Sequence, residues 1–318
     1  MDVKETKQVS VIIVSYNTKE FTKKAIQAVI DKTEGIEYEI IVVDNDSKDG
    51  SAEELKKTFQ DKITLIESKE NLGFGRANNL GIKHAKGKYM FLLNSDTELI
   101  NNAIKIFYDY MEQNVQVGIC GGNLYNLNEV PEESYMLFKN NIFSFFLHNY
   151  LYTFYWYVYK ITKKKKHYFC FNYSNKIKDV GYISGADMFV RKEALDKAGL
   201  FDENIFMYLE DADLNFRIRN QGYSIKSIPQ AKISHYLSKS STNTTEKHNM
   251  LFTGIYYFCF KYFKRKTYFV YLDKQLNLIR IALISLLKFN KEKAKTYFNL
   301  LKINREKYLE QKKLFYNK

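Results

Sequence analysis

The feature that most constrains this chain is a regular alternation of short apolar segments with longer amphipathic ones near its beginning. Val9–Ser15 and Tyr38–Val43 are apolar and rich in β-branched residues, and each leads into a stretch with helical spacing, Lys19–Lys32 and Ser51–Phe59 respectively. Parallel strands need long crossover connections, which are usually helical and almost always right-handed. The alternation therefore predicts a mainly parallel sheet with helices on both faces.

The same alternation continues to about residue 120. It predicts further strands at Ile63–Ile66, Tyr89–Leu93 and Val117–Cys120, and further helices at Gly75–Ala85 and 101–113. Ligands of such sheets bind at the carboxyl ends of the strands. Asp44 and Asp96 come directly after two of these strands, and we therefore expect both to face a ligand.

Charge divides the chain into regions with different expected roles. Residues 139–178 carry a formal charge of +8 and residues 241–318 carry +12, whereas the other 200 residues carry −7. The two basic regions also contain 30 of the 51 aromatic residues. We therefore expect an α/β domain over residues 1–240, interrupted by an aromatic and basic insertion at 139–178, and followed by a basic helical region over 241–318.

The α/β pattern resumes between the two basic regions. It predicts strands at Tyr182–Val190, Ser224–Ile228 and Lys232–His235, and helices at Lys192–Ala198 and from about Asp211 to Asn220. The insertion therefore interrupts one domain.

Three apolar stretches lie in the basic regions, at Phe143–Ile161, Met250–Phe263 and Leu276–Phe289. Tyrosines and other polar residues interrupt them, and so we predict no membrane span, which takes about 20 predominantly apolar residues. Aromatic residues beside lysines favour peripheral attachment to an anionic membrane surface. Core helices with a solvated basic face are the alternative. Binding to nucleic acid is a third interpretation, and it leaves the acidic α/β part unexplained.

Cysteine usage bears on the compartment. The three cysteines are far apart and lack a C-x-x-C spacing, which favours neither a disulfide framework nor a zinc site and suits a reducing compartment. The first residues are charged and contain no apolar leader of the kind that directs secretion. We expect a cytoplasmic protein associated with the inner face of the cell membrane, and a homo-oligomer is compatible with the sequence.

The first strand-to-helix turn, Tyr16–Lys19, contains no glycine. A dinucleotide-binding fold needs a glycine-rich turn here so that its backbone can approach the pyrophosphate, and no G-x-x-x-x-G-K-[ST] loop is present either. A bound diphosphate would then need another source of positive charge. A divalent cation held by a carboxylate is the usual one, and Asp96 is the candidate.

Several motifs occur in a fixed order along the chain. They are Val11-Ile12-Ile13-Val14-Ser15-Tyr16-Asn17, Val42-Val43-Asp44-Asn45-Asp46-Ser47, Asn71-Leu72-Gly73-Phe74-Gly75-Arg76-Ala77-Asn78-Asn79-Leu80-Gly81, Leu92-Leu93-Asn94-Ser95-Asp96, Ser184-Gly185-Ala186-Asp187-Met188, and Met207-Tyr208-Leu209-Glu210-Asp211-Ala212-Asp213. This series, with Arg217 and His235, resembles the family 2 glycosyltransferases over about residues 9–240, and the third motif is similar to that of the rhamnosyltransferase subgroup. The resemblance implies a GT-A fold.

The resemblance also implies a donor-binding set that surrounds a nucleotide sugar. Its members are Ser15, Tyr16, Asn17, Asp44, Asn45, Gly73, Arg76, Asn94 and Asp96. In this set Asp44 would accept a hydrogen bond from the imino group of uracil or thymine. A carboxylate can do so, and it disfavours cytosine because its oxygen would stay unpaired. The alternative for Asp44 is a turn or helix cap, and the alternative for Arg76 is a solvated helix face.

Asn94-Ser95-Asp96 corresponds to the D-x-D metal motif of the family, and the resemblance implies that Asp96 binds Mg²⁺ or Mn²⁺. Asn94 departs from the motif, because an uncharged amide is a poor metal ligand. His235 stands where many members supply a further ligand, although a histidine taken alone is more often structural. Metal affinity is then expected to depend on bound nucleotide.

On the acceptor side the resemblance implies contacts from Gly185, Ala186, Asp187 and Glu210, and a catalytic base at Asp211. Glu210 would either contact the acceptor or raise the pKa of the base. The alternative for these acids is stabilisation by the dipole at a helix N-terminus. Asp213 is expected to pair with Arg217 at i, i+4.

The resemblance implies an inverting transfer of rhamnose or a similar hexose from a dTDP- or UDP-sugar to a saccharide hydroxyl. The acceptor would be a lipid-pyrophosphate-linked precursor of a cell-surface polysaccharide or O-antigen. A sugar-phosphate nucleotidyltransferase is the alternative enzyme. It would carry a glycine- and lysine-rich first loop, which Ser15–Lys19 is not.

Overall fold

The computed structural model describes residues 7–137, 170–236 and 244–316. These residues form two compact units. Of the described residues, the first unit contains 7–137, 170–203 and 211–236, and the second contains 204–210 and 244–316.

A nine-stranded sheet forms the centre of the first unit as described. The strands of this unit are β1 (Val9–Ser15), β2 (Tyr38–Asp44), β3 (Thr64–Glu67), β4 (Tyr89–Asn94), β5 (Thr97–Leu99), β6 (Val117–Tyr125), β7 (Tyr135–Met136), β8 (Lys178–Asp179), β9 (Tyr182–Ile183), β10 (Asp187–Arg191) and β11 (Ser224–His235). Their order in the large sheet is β3-β2-β1-β4-β10-β6-β11-β5, and β8 pairs with β11, while β7 and β9 form a separate two-stranded sheet.

The predicted parallel part of the sheet is present, and antiparallel strands adjoin it, so that the sheet as a whole is mixed. β3, β2, β1 and β4 are parallel neighbours, as the alternating pattern predicts. β10 runs antiparallel to both β4 and β6. The described residues 170–186, which lead into β10, form turns and the short strands β8 and β9 and contain no helix, whereas a parallel connection usually contains one.

Helices cover both faces of this sheet, as predicted. They are α1 (Lys19–Lys32), α2 (Ser51–Phe59), α3 (Gly73–His84), α4 (Ala103–Gln113), α5 (Lys192–Ala198) and α6 (Glu210–Asn220). Alternate residues of β1 point to opposite faces. Val11 and Ile13 pack in a cluster with α1 and α4, whereas Ile12 packs in a cluster with α5 and α6. Continuous apolar strands of this kind are typical of a sheet buried on both faces.

Two strand boundaries differ from the sequence prediction. The single strand predicted at Tyr182–Val190 is divided into β9 and β10 by Ser184, Gly185 and Ala186. Conversely, the two strands predicted at Ser224–Ile228 and Lys232–His235 form one strand, β11, whose register with β6 shifts between Ser227 and Lys232. Both differences lie beside candidate site residues.

The second unit is helical, as predicted for the C-terminal region. Its helices are α7 (Thr244–Phe263), α8 (Thr267–Leu287) and α9 (Lys291–Tyr316). α7 buries most of its apolar stretch, including Phe252, Tyr256 and Phe258, whereas α8 leaves Leu276 65% and Leu287 79% exposed. Among the described helices none is both long enough and apolar enough to cross a bilayer. The predicted apolar stretch Phe143–Ile161 lies outside the described residues.

Candidate active site

The carboxyl ends of three adjacent parallel strands bring the donor-side candidates together. Ser15 is aligned with Asp44 across β1 and β2, and Val14 is aligned with Asn94 across β1 and β4. Because the three strands end at the same edge, the loops that follow them share one edge of the sheet. This arrangement follows directly from the alternating sequence pattern.

Two of these loops are joined by hydrogen bonds from Asn17. Its Oδ1 accepts from the Lys48 N–H at 2.7 Å, and its own N–H donates to Ser47 Oγ at 3.0 Å. Asn17 has a φ of 53°, a left-handed conformation that asparagine tolerates better than most residues. The preceding Tyr16 is 44% exposed, so that its ring is available as an apolar surface beside the strand ends.

Asp44 is a buried carboxylate with one oxygen unused. The residue is 4% exposed, and its Oδ1 accepts a hydrogen bond from the Ser47 N–H at 3.0 Å. No hydrogen-bond partner of Oδ2 is present in the described part of the structure. A buried polar atom normally has a partner. Asp44 therefore shapes its turn through one oxygen, which was the alternative interpretation, and keeps the other available for an N–H donor.

Asn45 and Gly73 hold the loop that leads into α3. Asn45 is 2% exposed, its Oδ1 accepts from Leu72 N at 2.9 Å, and its Nδ2 donates to Gly73 O at 3.3 Å. Gly73 has a φ of 75°, which favours glycine. Arg76 Nε donates to Leu72 O at 2.8 Å. The side chain of Asn45 thus acts within the loop, while the rest of the Arg76 guanidinium lies at the first turn of α3.

Four hydroxyl groups form a network beneath the ends of β1, β2 and β4, here called the donor edge, and of the four only Ser15 was expected in the site. Ser15 Oγ lies 2.9 Å from Thr22 Oγ1, which lies 3.1 Å from Thr18 Oγ1, and Thr18 Oγ1 donates to Ser95 Oγ at 3.0 Å. Ser15 and Thr22 are fully buried. The network joins the end of β1 to the residue before Asp96. Three hydroxyl residues at i, i+3 and i+7 across the strand–helix turn were the available signal.

Pairing between β5 and β11 brings His235 to Asp96. His235 is aligned with Thr97 of β5, directly after Asp96. His235 Nε2 lies 3.5 Å from Asp96 Oδ1, and the two side chains are 13% and 12% exposed. The Tyr236 N–H also donates to Asp96 O at 2.8 Å. Two residues 139 positions apart in the sequence therefore converge, as the motif resemblance implied.

The Asp96–His235 pair fits part of a divalent metal site. A carboxylate oxygen suits Mn²⁺ and a neutral imidazole nitrogen is a common metal ligand, and the two lie close enough to approach one ion. Among the described residues no group of three or more His, Cys, Asp or Glu side chains could hold a metal. A bound diphosphate offers oxygen atoms that would complete the ligand set of such an ion. Asn94 is half-buried at the end of β4, and its uncharged amide does not supply a further carboxylate ligand.

Asp211 lies across the site at the start of α6. Its Oδ2 accepts from the Gly185 N–H at 3.0 Å, and its Oδ1 accepts from the Ala212 N–H at 2.7 Å. Burial of the carboxyl group raises the pKa of Asp211 above its ordinary value, although these backbone N–H groups act in the opposite direction. A carboxylate with a raised pKa is a stronger proton acceptor, which suits a general base.

Gly185 connects the acceptor-side and donor-side edges. A Cβ at this position would lie 2.9 Å from the ring of Phe74 and 3.7 Å from the Cβ of Asp211, so only glycine fits without movement of the ring. The next residue, Ala186, accepts a hydrogen bond from Asn94 N at 3.1 Å. The break between β9 and β10 therefore places the Gly185 N–H on Asp211 and keeps it beside the end of β4.

The remaining acceptor-side candidates occupy different environments. Asp187 is fully buried, its Oδ2 accepts from the Gly122 N–H at 2.6 Å, and burial raises its pKa well above the ordinary value. The described geometry therefore provides no surface on which Asp187 meets an acceptor. Glu210 is 5% exposed. Asp213 pairs with Arg217 Nε at 2.8 Å, which confirms the predicted i, i+4 contact.

A family model described as glycosyl transferase family 2 matches residues 10–197. An uncharacterized glycosyltransferase of Methanocaldococcus jannaschii is 27% identical over 267 residues, which cover 79% of this chain and 85% of the relative. An N-acetylglucosaminyl-diphospho-decaprenol L-rhamnosyltransferase of Mycobacterium tuberculosis is 36% identical over 69 residues, or 22% of each protein. Several other curated relatives are matched over less than a quarter of their length.

The fold is also found among solved structures. The crystal structure of GalNAc-T7 with UDP, GalNAc and Mn²⁺ matches with a TM-score of 0.59 and 14% sequence identity, covering 79% of this chain and 47% of that one. At this identity the likeness concerns the fold, and it confirms the GT-A architecture that the motifs implied.

Proposed function

The chain belongs to glycosyl transferase family 2, and on that basis we propose that it transfers a sugar, with inversion, from a nucleotide-diphosphate sugar to a saccharide hydroxyl. The observation that carries the proposal is the Asp211 carboxylate. It is held by the Gly185 N–H beside the strand ends that carry Asp44 and Asp96. Membership of this family favours glycosyl transfer over the alternative of a sugar-phosphate nucleotidyltransferase.

Donor binding is assigned to the loops after β1, β2 and β4. The unused Oδ2 of Asp44 would accept the imino N–H of uracil or thymine, and the exposed ring of Tyr16 would lie against the nucleoside. A carboxylate cannot donate to the unprotonated ring nitrogen of cytosine. The donor nucleotide is therefore proposed to be UDP or dTDP, with Ser15, Asn17 and Asn94 lining the same edge.

Asp96 and His235 are proposed to hold Mg²⁺ or Mn²⁺ together with the donor diphosphate. Their separation of 3.5 Å supports this role. When bound, the cation would supply positive charge to the leaving diphosphate. Because the described residues contribute these two candidate ligands and no third, metal affinity is expected to increase when the nucleotide is present.

Asp211 is proposed to be the general base. The acceptor hydroxyl gives its proton to a carboxylate oxygen of Asp211 while its oxygen forms a bond to the anomeric carbon. The bond from that carbon to the diphosphate oxygen breaks, and its electron pair leaves with the diphosphate. Attack from the face opposite the leaving group inverts the configuration. The Gly185 and Ala212 N–H groups keep the carboxylate oriented during this step.

The finer substrate assignment is a hexose such as rhamnose and a lipid-pyrophosphate-linked acceptor for a cell-surface polysaccharide or O-antigen. The third motif and the similarity to a rhamnosyltransferase that acts on a decaprenol-linked sugar support this assignment. The matched segment of that relative is short. The donor sugar and the acceptor are therefore each to be identified with a panel of compounds.

Release of nucleoside diphosphate from a panel of UDP-, dTDP-, GDP- and CDP-sugars tests the proposed reaction. Each donor is incubated with Mn²⁺, and in parallel with EDTA, with and without saccharide acceptors. We expect turnover of a UDP- or dTDP-sugar that stops with EDTA and returns with excess Mn²⁺. Turnover that EDTA leaves unchanged would contradict the proposed metal site.

We further propose that α8 contacts the inner face of the cell membrane. Four of its apolar residues, Leu276, Ile279, Leu283 and Leu287, recur at helical spacing on one face and are 65%, 39%, 51% and 79% exposed. Arg280 and Lys288 are exposed beside them. Apolar side chains flanked by cations suit an interface with anionic lipid. α7, in contrast, buries its apolar stretch in the helical unit, as the core-helix alternative predicted.

Co-sedimentation with phosphatidylglycerol and phosphatidylcholine vesicles tests the membrane proposal. We expect the full chain to bind the anionic vesicles, and Leu283→Asp with Leu287→Asp to abolish binding while leaving donor turnover unchanged. Binding that survives the double substitution would overturn the role of α8. The role of α8 would also be overturned if the protein forms a dimer without lipid, measured by analytical ultracentrifugation, and the double substitution dissociates that dimer.

A further inference from the structure

Asn215 forms two hydrogen bonds that connect α6 to Ile183 at the end of β9, and a third within α6. Its Nδ2 donates to Ile183 O at 3.0 Å and to Asp211 O at 2.8 Å, and its Oδ1 accepts from Ile183 N at 3.1 Å. The side chain is 1% exposed. An amide that pairs with both the N–H and the C=O of one residue fixes that residue closely, because it satisfies both backbone groups at once.

These contacts form a closed path around the proposed base. Ile183 is held by Asn215, Gly185 follows two residues later, and the Gly185 N–H donates to Asp211 Oδ2 at 3.0 Å. The backbone carbonyl oxygen of Asp211 in turn accepts a hydrogen bond from Asn215 Nδ2. We propose that Asn215 is a positioning residue, which keeps the Gly185 N–H on the carboxylate of Asp211. This inference rests on the proposed role of Asp211 as the base.

The Gly185 hydrogen bond has a predictable effect on the base. It stabilises the ionised carboxylate and so lowers the pKa of Asp211, against the larger effect of burial, which raises it. Loss of this bond should therefore raise the pKa further. The base would then be protonated, and activity lost, at a higher pH than in the wild type.

Other charged groups around the base do not depend directly on Asn215. On α6 the charged neighbours are Glu210, Asp213 and Arg217, of which the last two pair with each other. The segment 183–186 and the ring of Phe74, which lie against Gly185 and Asp211, contain no ionisable side chain. A change in the pH profile after substitution of Asn215 would thus report on the Gly185 bond.

Asn215→Leu, which keeps the approximate shape of the side chain and removes all three bonds, is the test variant. Asn172→Leu is the matched control. Asn172 is 2% exposed, and its side chain makes four hydrogen bonds. Its Nδ2 donates to Lys176 O at 3.0 Å and Ser227 Oγ at 3.4 Å, and its Oδ1 accepts from Ser174 N at 3.2 Å and Ser174 Oγ at 2.8 Å. The readouts are the thermal midpoint, the affinity for the nucleoside diphosphate of the preferred donor, and kcat for donor hydrolysis against pH.

Both substitutions should lower the thermal midpoint. Only Asn215→Leu should also move the acid limb of kcat upward, by about one pH unit, which corresponds to the loss of one hydrogen bond to a charged group. Nucleoside diphosphate affinity should stay at the wild-type value. If Asn215→Leu does not fold, Asn215→Ala is measured by the same criterion.

An acid limb that stays at the wild-type pH in the folded variant would overturn the positioning role. An equal shift in Asn172→Leu would overturn it as well, because the effect would then be one of general destabilisation. Asp211→Asn is measured in parallel. If it retains turnover, the base assignment itself is wrong. If it is inactive while the limb does not move, only the role of Asn215 fails.

Discussion

The donor edge of the site, at the ends of β1, β2 and β4, contains the buried carboxylate of Asp44, whereas its acceptor edge, at Gly185 and the start of α6, contains the partly buried carboxylate of Asp211. Asp44 uses one oxygen for the Ser47 N–H and has no described partner for the other. Asp211 receives an N–H on each oxygen, from Gly185 and Ala212, and burial raises its pKa. An unused acceptor suits recognition of a ligand N–H. A fully oriented carboxylate with a raised pKa suits removal of a proton.

The comparison teaches that residue type alone does not assign a role. Asp44, Asp96, Asp187 and Asp211 all belong to motifs that resemble family motifs, yet they differ in burial and hydrogen bonding. Asp187 lies fully buried in β10, where the sheet is covered on both faces. The differences predict which substitutions should affect catalysis, which should affect donor binding, and in what order of size.

The largest effect should come from the acceptor edge. Asp211→Asn keeps the shape of the side chain and removes its ability to take up a proton, so we expect kcat to fall by about 10²–10⁴-fold. Nucleoside diphosphate affinity, measured by calorimetry, should remain near the wild-type value. Asp196→Asn, an exposed acid paired with Lys192, is the control and should leave kcat unchanged. Retained turnover in Asp211→Asn would refute its role.

A smaller loss is expected where the diphosphate binds. Asp96→Ala should lower turnover at fixed Mn²⁺ by about 10²-fold, since an ion stabilises the leaving charge by several kcal/mol. His235→Ala should raise the Mn²⁺ concentration needed for half-maximal activity. His84→Ala provides a control at an exposed histidine of α3. An unchanged Mn²⁺ dependence in both site variants would show that these residues do not hold the ion.

Asp44→Asn should alter recognition of the base with little change in kcat. An amide can still accept from the Ser47 N–H, but its amino group would face the nucleobase. The affinity for UDP should fall by about tenfold or more, the effect of leaving a buried polar group mismatched, while the preference over CDP should narrow. Asp46→Asn, in the same turn, serves as the control. Equal UDP and CDP affinities in the wild type would contradict the proposed contact.

The smallest expected effect is a difference in pH dependence between kcat, which depends on the acceptor edge, and nucleoside diphosphate affinity, which depends on the donor edge. The pKa of Asp211 is raised, so the base becomes protonated as the pH falls through that value, and kcat should decline by about tenfold one unit below it. Nucleoside diphosphate affinity depends on other groups and should not share this limb. A pH series of kcat and of calorimetric affinity checks this. If kcat and nucleoside diphosphate affinity decline over the same pH range, the loss of donor binding, and not protonation of the base, would explain the decline in activity.

The donor edge could be predicted largely from the sequence. Strand and helix periods are local, and parallel strands necessarily end together, so the positions of Ser15, Asp44 and Asn94 followed from the pattern. The unused oxygen of Asp44 could not be predicted in this way. It depends on which N–H groups the folded turn brings to the carboxylate.

The acceptor edge was less accessible to sequence reasoning. The antiparallel direction of β10 and the break at Gly185 depend on how the chain returns after the insertion. Asn215 carried no visible signal, because a polar residue within a helix is usually solvated. Likewise, the apolar stretches of α7 and α8 look similar in sequence, and only packing shows that one is buried and the other exposed. Tertiary contacts decided each case.

The configuration of the sugar product shows whether the transfer proceeds with inversion. With the donor and acceptor that the panels identify, the one-bond carbon–proton coupling at the anomeric carbon of the new linkage is measured by NMR and compared with that of the donor. A single base at Asp211 and attack opposite the diphosphate predict the opposite anomeric configuration. A product that retains the configuration of the donor would contradict the account.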